Sequence, residues 1–320
     1  MMIFAGIDIG GTKTAVVLAD GQGGIIASAR HLTNIESAEK SLDLTINHLR
    51  TLLAENNFSP ADIKVIGISA AGPMCSKRGI ILKNRKMPGW AEFPVRDFLS
   101  ETFGCPAHME NDANAAGWAE FLFGAQKGKD LIYLTMSTGI GAGIICNGTL
   151  LTGQNDMAGE VGHICLEPDG IPCLCGKKGC WQAYCGGKPF ADRLRAEIIQ
   201  KNISTQILVE AENQPEKISM HEICAAVRKR DAYAVERWDE FIERMAQGTG
   251  TLIQCFNPQA IVLGTIAIAA GDLFIPQMID RLPKYAWECA HSGSCIIEAS
   301  RLKNIGELSA IATALCKTHN

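Results

Sequence analysis

Two stretches of this chain carry the same pattern. Residues 3–27, "IFAGIDIGGTKTAVVLADGQGGIIA", read as strand, glycine turn, strand, glycine turn, strand. Residues 130–153, "DLIYLTMSTGIGAGIICNGTLLTG", read the same way, with "NG" as the second turn. Laying "DIGGTK" from Asp8 over "STGIGA" from Ser137 keeps the flanking strands in register. This internal repeat restricts the fold more than any local propensity does. It implies two similar α/β domains, each presenting a glycine-rich hairpin turn.

The rest of the chain fits that plan. "SAEKSLDLTINHLRTLLAEN" spaces Leu and Ile as a helix does, and "IKVIGISAAGPM" is a buried strand running into a Gly-Pro turn. "ENDANAAGWAEFLFGA" opens on polar caps and becomes a helix ending at Gly124. Residues 188–256 are mostly helical, with a capping box in "SMHE" at Ser219. "NPQAIVLGT" forms a third strand–glycine junction, and "GDLFIPQMIDRL" reads as a helix interrupted at Pro276. "GELSAIATALC" is a helix of small and apolar residues suited to packing back on a core. The expected domains are 1–117, completed by a helix over 306–320, and 118–305.

Composition narrows the function classes. The 320 residues are 47% hydrophobic and 20% charged, enough apolar material for large cores. A net charge of −4 advertises no surface for nucleic acid or anionic lipid. The start, "MMIFAGIDIGG", has no positive leader and meets Asp8 before an apolar run develops, so it reads as a buried strand. "AIVLGTIAIAA" is too short to span a bilayer. A cytoplasmic protein is expected. In that compartment most of the 13 cysteines read as buried thiols. The group in "CLCGKKGCWQAYC", residues 173–185, asks for another explanation.

The turn "DIGGTKT" offers backbone N–H groups at Gly10 and Gly11, hydroxyls at Thr12 and Thr14, and the Lys13 cation. Such a turn can cradle phosphate oxygens, with Asp8 holding Mg²⁺ through water. A plain hairpin turn is the alternative. A P-loop is excluded because another strand follows instead of a helix, and "GIGAG" from Gly139 fails as a dinucleotide fingerprint for the same reason.

Taken in order, "GIDIGGTKT", "ENDANAA", "STGIGAGII", "AGEVGH" and "CLCGKKGC" resemble the ROK family of sugar kinases and sugar-responsive repressors. The resemblance covers nearly the whole chain. It implies a two-domain, actin-like (ribonuclease H-like) α/β ATPase fold with an interdomain cleft, MgATP and a sugar as ligands, and a homodimer. It also implies that Thr138, Gly139 and Gly264 join the first turn in binding ATP. His163, Cys173, Cys175 and Cys180 become a closed Cys₃His set for structural zinc, with Cys165 and Cys185 as nearby substitutes. Asp112 becomes the general base that takes the proton of the sugar hydroxyl, although Asp at a helix start also reads as an N-cap. Gly72, Asn84, Asn111, Glu160, His163 and Gln182 become sugar contacts.

Two positions depart from the family pattern. Gln182 stands where Glu is common, and "LGTIAIAAG" replaces an "LGGG"-like third turn. The expected activity is ATP-dependent phosphorylation of a hexose, most simply glucose to glucose 6-phosphate. N-acetylmannosamine and N-acetylglucosamine are the alternative acceptors, and a catalytically silent sugar-binding protein or regulator is the alternative class. Family repressors carry a DNA-reading helix-turn-helix ahead of the first strand. Here that strand opens at residue 2 or 3, so no nucleic-acid partner is expected.

Overall fold

The computed structural model describes residues 2–291 and 295–316. Its strands are β1 Ile3–Ile9, β2 Lys13–Asp20, β3 Ile25–Leu32, β4 Ile63–Ala70, β5 Met74–Cys75, β6 Ile80–Ile81, β7 Ala107–Asn111, β8 Leu131–Met136, β9 Ile140–Cys146, β10 Thr149–Leu150, β11 Ala260–Leu263 and β12 Ile296–Ala299. One five-stranded sheet runs β3-β2-β1-β4-β7 and another runs β10-β9-β8-β11-β12. Matching each strand of one to its counterpart in the other gives the same order, which is the internal repeat in three dimensions. In the first sheet β1, β2 and β3 are antiparallel neighbours, while β4 and β7 run parallel to β1. In the second, β8, β11 and β12 are parallel.

The chain folds as two compact units: 1–128 with 143–159 and 302–320, and 129–142 with 160–301. The expected cut at 117 falls inside the helix Asp112–Phe123, which stays whole in the first unit. Residues 143–159 join that unit because Gly117 lets the helix touch Gly143, where a Cβ would lie 3.0 Å from the Gly143 Cα. The Asp156 carboxylate also accepts from the Ser76 backbone and hydroxyl, at 2.9 and 2.8 Å.

In the first unit the helix Ala38–Glu55 starts where Ser37 accepts from the Lys40 N–H at 3.3 Å, and it buries Leu42, Ile46, Leu49, Leu52 and Leu53 against one sheet face. The other face carries the helix Ile305–Cys316, with Ile311 and Ala314 in a small core beside Phe4, Val17, Ala19 and Val65. Small residues make this contact close: a Cβ on Gly67 would lie 2.5 Å from the Ala314 nitrogen. Of the helix expected over 306–320, positions 317–320 lie outside the described residues.

The second unit centres on an aromatic core in which Trp238 stacks on Phe241 at 4.5 Å, with Phe190 and Phe274 around them. The capping box at Ser219 forms, its backbone N–H donating to Glu222 at 2.9 Å. Pro276 does not interrupt a helix. It sits in the first turn of Ile275–Arg281, where a missing N–H costs nothing. Among the described residues no helix is long and apolar enough to cross a membrane.

Candidate functional site

The first unit gathers its candidate residues at the carboxyl ends of its parallel strands, where ligands of open α/β sheets bind. Register places Ser69 of β4 opposite Asp8 of β1, and Asn111 of β7 opposite Ala70. The Ser69 hydroxyl donates to Asp8 Oδ1 at 2.8 Å. Gly306, at the start of the last helix, presses so near that a Cβ there would overlap Asp8 Oδ2. Burial first, then the negative Asp112 and Glu307, push the Asp8 carboxyl up to about 6. A carboxylate so placed favours a cation, and one carboxylate with waters suits Mg²⁺. Arg30 partly offsets the local charge; its Nε donates to Glu307 at 3.0 Å.

The β1–β2 turn closes with the Gly10 N–H donating to the Lys13 carbonyl at 3.1 Å. A Cβ on Gly11 would meet nothing within 4 Å, so the turn is open where a phosphate would sit. Thr12 and Lys13 are exposed there. Thr14 corrects the expectation: it is fully buried and its hydroxyl pairs with Thr33 at 2.9 Å. The cause is that β2 is covered on both faces, so the first residue after Lys13 is already inside the core.

At the β7–helix junction Asn111 and Asp112 both accept from the Ala113 N–H, Asp112 Oδ1 at 2.8 Å. Asn111 is the N-cap, its Oδ1 accepting from the Ala113 N–H at 2.9 Å and the Asn114 N–H at 3.4 Å. Asp112 follows as the first helical residue and is exposed. Buried Glu110 accepts from the Asn111 N–H and the Asn114 amide, both at 3.0 Å, which stiffens the junction. A Cβ on Gly72 would come 2.9 Å from Asn111 Nδ2, so this glycine keeps the Asn111 amide accessible. Asn84 is occupied by its own loop: Oδ1 accepts from the Lys86 and Met87 N–H groups at 2.9 Å, and Nδ2 donates to the Leu82 carbonyl at 3.0 Å.

In the second unit, β8 ends in a turn closed by the Ser137 N–H donating to the Gly139 carbonyl at 3.0 Å, with Thr138 exposed at its tip. A cavity of about 310 Å³ opens beside it, lined by Ser137, Thr138, Gly187, Lys188, Ile218 and Ile266 among others. Gly264 directly follows the strand Ala260–Leu263. It is buried, and any Cβ would collide with the Tyr133 hydroxyl, so a neighbouring side chain demands the glycine. Thr265 follows at φ +50°, a strained backbone for a β-branched residue, its hydroxyl 3.4 Å from that of Thr135.

The same unit brings His163, Cys173, Cys175 and Cys180 together, with one ligand atom from each within 4.8 Å of the others. The Cys175 and Cys180 sulfurs are 3.7 Å apart and Cys173 Sγ is 3.9 Å from His163 Nδ1. Bonds of about 2.3 Å to a tetrahedral zinc would set sulfurs about 3.8 Å apart, so the set fits. Positive φ at Gly176 (+86°) and Gly179 (+70°) makes the tight knuckle possible. Burial first, then the neighbouring sulfurs, push the Cys180 thiol up to about 12, a barrier that a divalent cation would remove. His163 Nε2 points away from the cluster, 4.0 Å from Glu160. Cys165 pairs across a short bridge from Cys180, but its Sγ donates to the Lys178 carbonyl at 3.7 Å; Cys185 is wholly buried with its Sγ on the Phe241 carbonyl.

Sequence reasoning missed Ser69, Gly306 and the Arg30–Glu307 pair around Asp8. Only the position of Ser69 near the end of a strand hinted at it. Gln182, expected at the sugar, turns its Nε2 to the Cys173 sulfur at 3.5 Å.

Comparison with known proteins agrees with this geometry. The glucokinase of Streptomyces coelicolor is 31% identical over 278 residues, 86% of this chain and 85% of that protein. The ROK hexokinase from Thermus thermophilus superposes with a TM-score of 0.83 at 28% identity, covering 99% of each chain. A ROK family glucokinase from Streptomyces griseus, solved with glucose and AMPPNP, superposes at 0.76 with 29% identity over 98% of each chain. The ROK family model matches residues 4–316. With its motifs in order, its doubled sheet and this match over nearly its whole length, the chain belongs to the ROK family and has the actin-like ATPase fold of that family's sugar kinases.

Proposed function

We propose that this chain is an ATP-dependent hexose kinase that transfers the γ-phosphoryl group of ATP to a sugar hydroxyl, most simply the 6-hydroxyl of glucose. The observation that carries the reading is Asp112: exposed as the first residue of a stiffened helix whose N-cap is Asn111, and in the same unit as the open turn around Gly11. A sugar hydroxyl is a weak nucleophile at neutral pH, and a positioned carboxylate takes its proton as the new O–P bond forms and the bond to the leaving ADP breaks.

In this reading Gly10, Gly11, Thr12 and Lys13 receive phosphate oxygens. Asp8 holds a hydrated Mg²⁺, which neutralises charge on the phosphates. The Ser137–Gly139 turn takes another part of the nucleotide, and the neighbouring cavity receives its adenosine. Asn111, Glu160 and His163 contact the sugar. The cluster at Cys173, Cys175 and Cys180 holds a structural zinc that fixes the His163 ring, leaving Nε2 for a sugar hydroxyl. The working form is a cytoplasmic homodimer, which sedimentation equilibrium checks.

A coupled ADP-release assay over glucose, mannose, fructose, allose, N-acetylmannosamine and N-acetylglucosamine tests the assignment. Turnover with one hexose well above the others is expected. No ADP release with any of them, from a folded protein with Mg²⁺, would leave a sugar-binding protein instead.

A further inference from the structure

We infer that Thr33 is a positioning residue for the turn between β1 and β2: its hydroxyl fixes the plane of the Gly10–Gly11 peptide, so that the Gly11 N–H is presented to a phosphate oxygen; this rests on reading that turn as a phosphate site. Thr33 directly follows β3, whose register pairs Leu32 with Lys13 and His31 with Thr14, so the chain carries it alongside the turn. Its N–H donates to the Thr12 carbonyl at 3.0 Å and its hydroxyl to the Gly10 carbonyl at 2.8 Å. The Thr33 and Thr14 hydroxyl oxygens are 2.9 Å apart. A hydroxyl has one hydrogen to donate, and a carbonyl has none. Thr33 therefore directs its hydrogen to Gly10 and accepts that of the buried Thr14.

The Gly10–Gly11 peptide is the part of the turn that needs such a tie. A trans peptide is planar, and its C=O and N–H point to opposite sides. Glycine on both sides leaves the plane free to rotate, because neither residue has a Cβ to restrict φ and ψ. Pinning the carbonyl to Thr33 sends the Gly11 N–H the other way, and that N–H has no acceptor among the described residues. Neighbouring carbonyls are taken as well: that of Ile9 accepts from the Ala71 N–H and that of Lys13 from the Gly10 N–H, both at 3.1 Å. An anion approaching the turn therefore meets donors rather than acceptors. Thr33 stands on a fixed support. The carbonyl of the next residue, Asn34, accepts from the indole N–H of the wholly buried Trp90 at 2.8 Å, and Asn34 Oδ1 accepts from the Glu36 and Ser37 N–H groups at 3.1 Å.

The test uses full-length protein and the variants Thr33→Val and Thr33→Ser. Valine keeps the shape and the backbone bond to Thr12 and removes only the hydroxyl, whereas serine keeps the hydroxyl. Thr33→Ala, which also lacks it, repeats the measurement if the valine variant does not fold. ATP affinity is read by titration calorimetry without sugar, KM is measured separately for ATP and for the sugar, and melting is followed by scanning calorimetry. Thr33→Val should weaken ATP binding and raise the KM for ATP by about 10-fold, the size of one lost hydrogen bond, with little change in the KM for the sugar. Thr33→Ser should restore ATP affinity even where its melting temperature is below the parent's. Parental ATP affinity in a folded Thr33→Val, or a Thr33→Ser as weak as Thr33→Val, would overturn the role of the hydroxyl. Equal rises in both KM values would overturn it too, as a general loosening of the unit. The phosphate reading of the turn is tested apart, by Gly11→Val. If Gly11→Val binds ATP as the parent does, the turn is not in the site and the inference fails with it. If Gly11→Val weakens ATP and Thr33→Val does not, the turn stays in the site and Thr33 alone is removed.

Discussion

At one helix start Asn111 is the N-cap, while the adjacent Asp112 is exposed and accepts from the Ala113 N–H at 2.8 Å. The sequence left cap and base as alternatives for Asp112. The structure assigns the cap to Asn111, because its Oδ1 reaches the Ala113 and Asn114 N–H groups. Asp112→Asn should therefore fold normally and lose turnover by roughly 10²–10⁴. Near-parental turnover from a folded variant would remove Asp112 from the chemistry. Asp8 allows a test of a different kind. Its carboxyl sits at about 6 in the fold against 3.8 for the free group. The folded chain then binds more protons than the unfolded chain between those values, so stability falls as pH rises through that window and stays lowered above it. At 1.36 kcal/mol per pH unit the penalty reaches up to about 3 kcal/mol. In magnesium-free buffer Asp8→Asn should be more stable than the parent at pH 8, and the gain should vanish near pH 4. Urea midpoints at the two pH values check this, and an equal gain at both would refute it. Activity should be lost in the same variant, since the anion that destabilises the empty site is the one proposed to hold Mg²⁺.

At the scale of elements, what was legible depended on how far apart the partners lie in the chain. The hairpin turns were readable because glycine punctuation is local, and the Cys173–Cys180 knuckle because its cysteines fall in one short stretch that resembles the family motif. The environment of Asp8 was not, because Ser69 and Gly306 come from distant segments and carry no motif. Thr14 was misread because hydroxyls beside a glycine turn look available, whereas β2 is buried from that residue onward. The packing of Gly264 was not legible either: a Cβ there would collide with Tyr133, which comes from a distant strand. These distinctions make two glycines into contrasting tests. Gly11→Val adds a side chain in open space, so thermal stability should hardly change while the KM for ATP rises at least 10-fold. Gly306→Val forces a side chain into Asp8, so stability and activity should fall together. Calorimetric melting beside ATP kinetics separates the two, and a stable Gly306→Val with full activity would refute the contact.

On the scale of the whole molecule, the question is how much of the fold would depend on a zinc at the proposed cysteine–histidine site. Local apolar support is slight: Cys173, Cys180 and Ala183 form a small core of their own, with Ile171 packed against it. The segment is also tied to the long helix Ala232–Phe256, since the Arg244 guanidinium donates to Glu167 at 2.5 Å, the Gln247 amide donates to the Leu166 carbonyl at 3.0 Å, and the Arg244 guanidinium lies 4.6 Å from the Tyr184 ring centre. The aromatic core around Trp238 and Phe241 and the two sheets need no metal. Structural zinc contributes roughly 10–16 kcal/mol in small finger peptides that have no other core; here its loss should release only the segment around the knuckle. Cys175 is the ligand to change, because it is exposed and its replacement disturbs no packing. Cys175→Ser should keep the parental far-UV circular dichroism, carry well under one zinc per chain, and be cut by protease between Leu166 and Lys178 at a rate that leaves the rest intact. Sugar affinity should fall because the His163 ring is no longer fixed, and ATP affinity should change less because its proposed contacts come from other turns. Global unfolding of Cys175→Ser would show that the cluster supports the entire second unit, and a variant with full zinc and unchanged protease resistance would show that Cys175 is not a ligand.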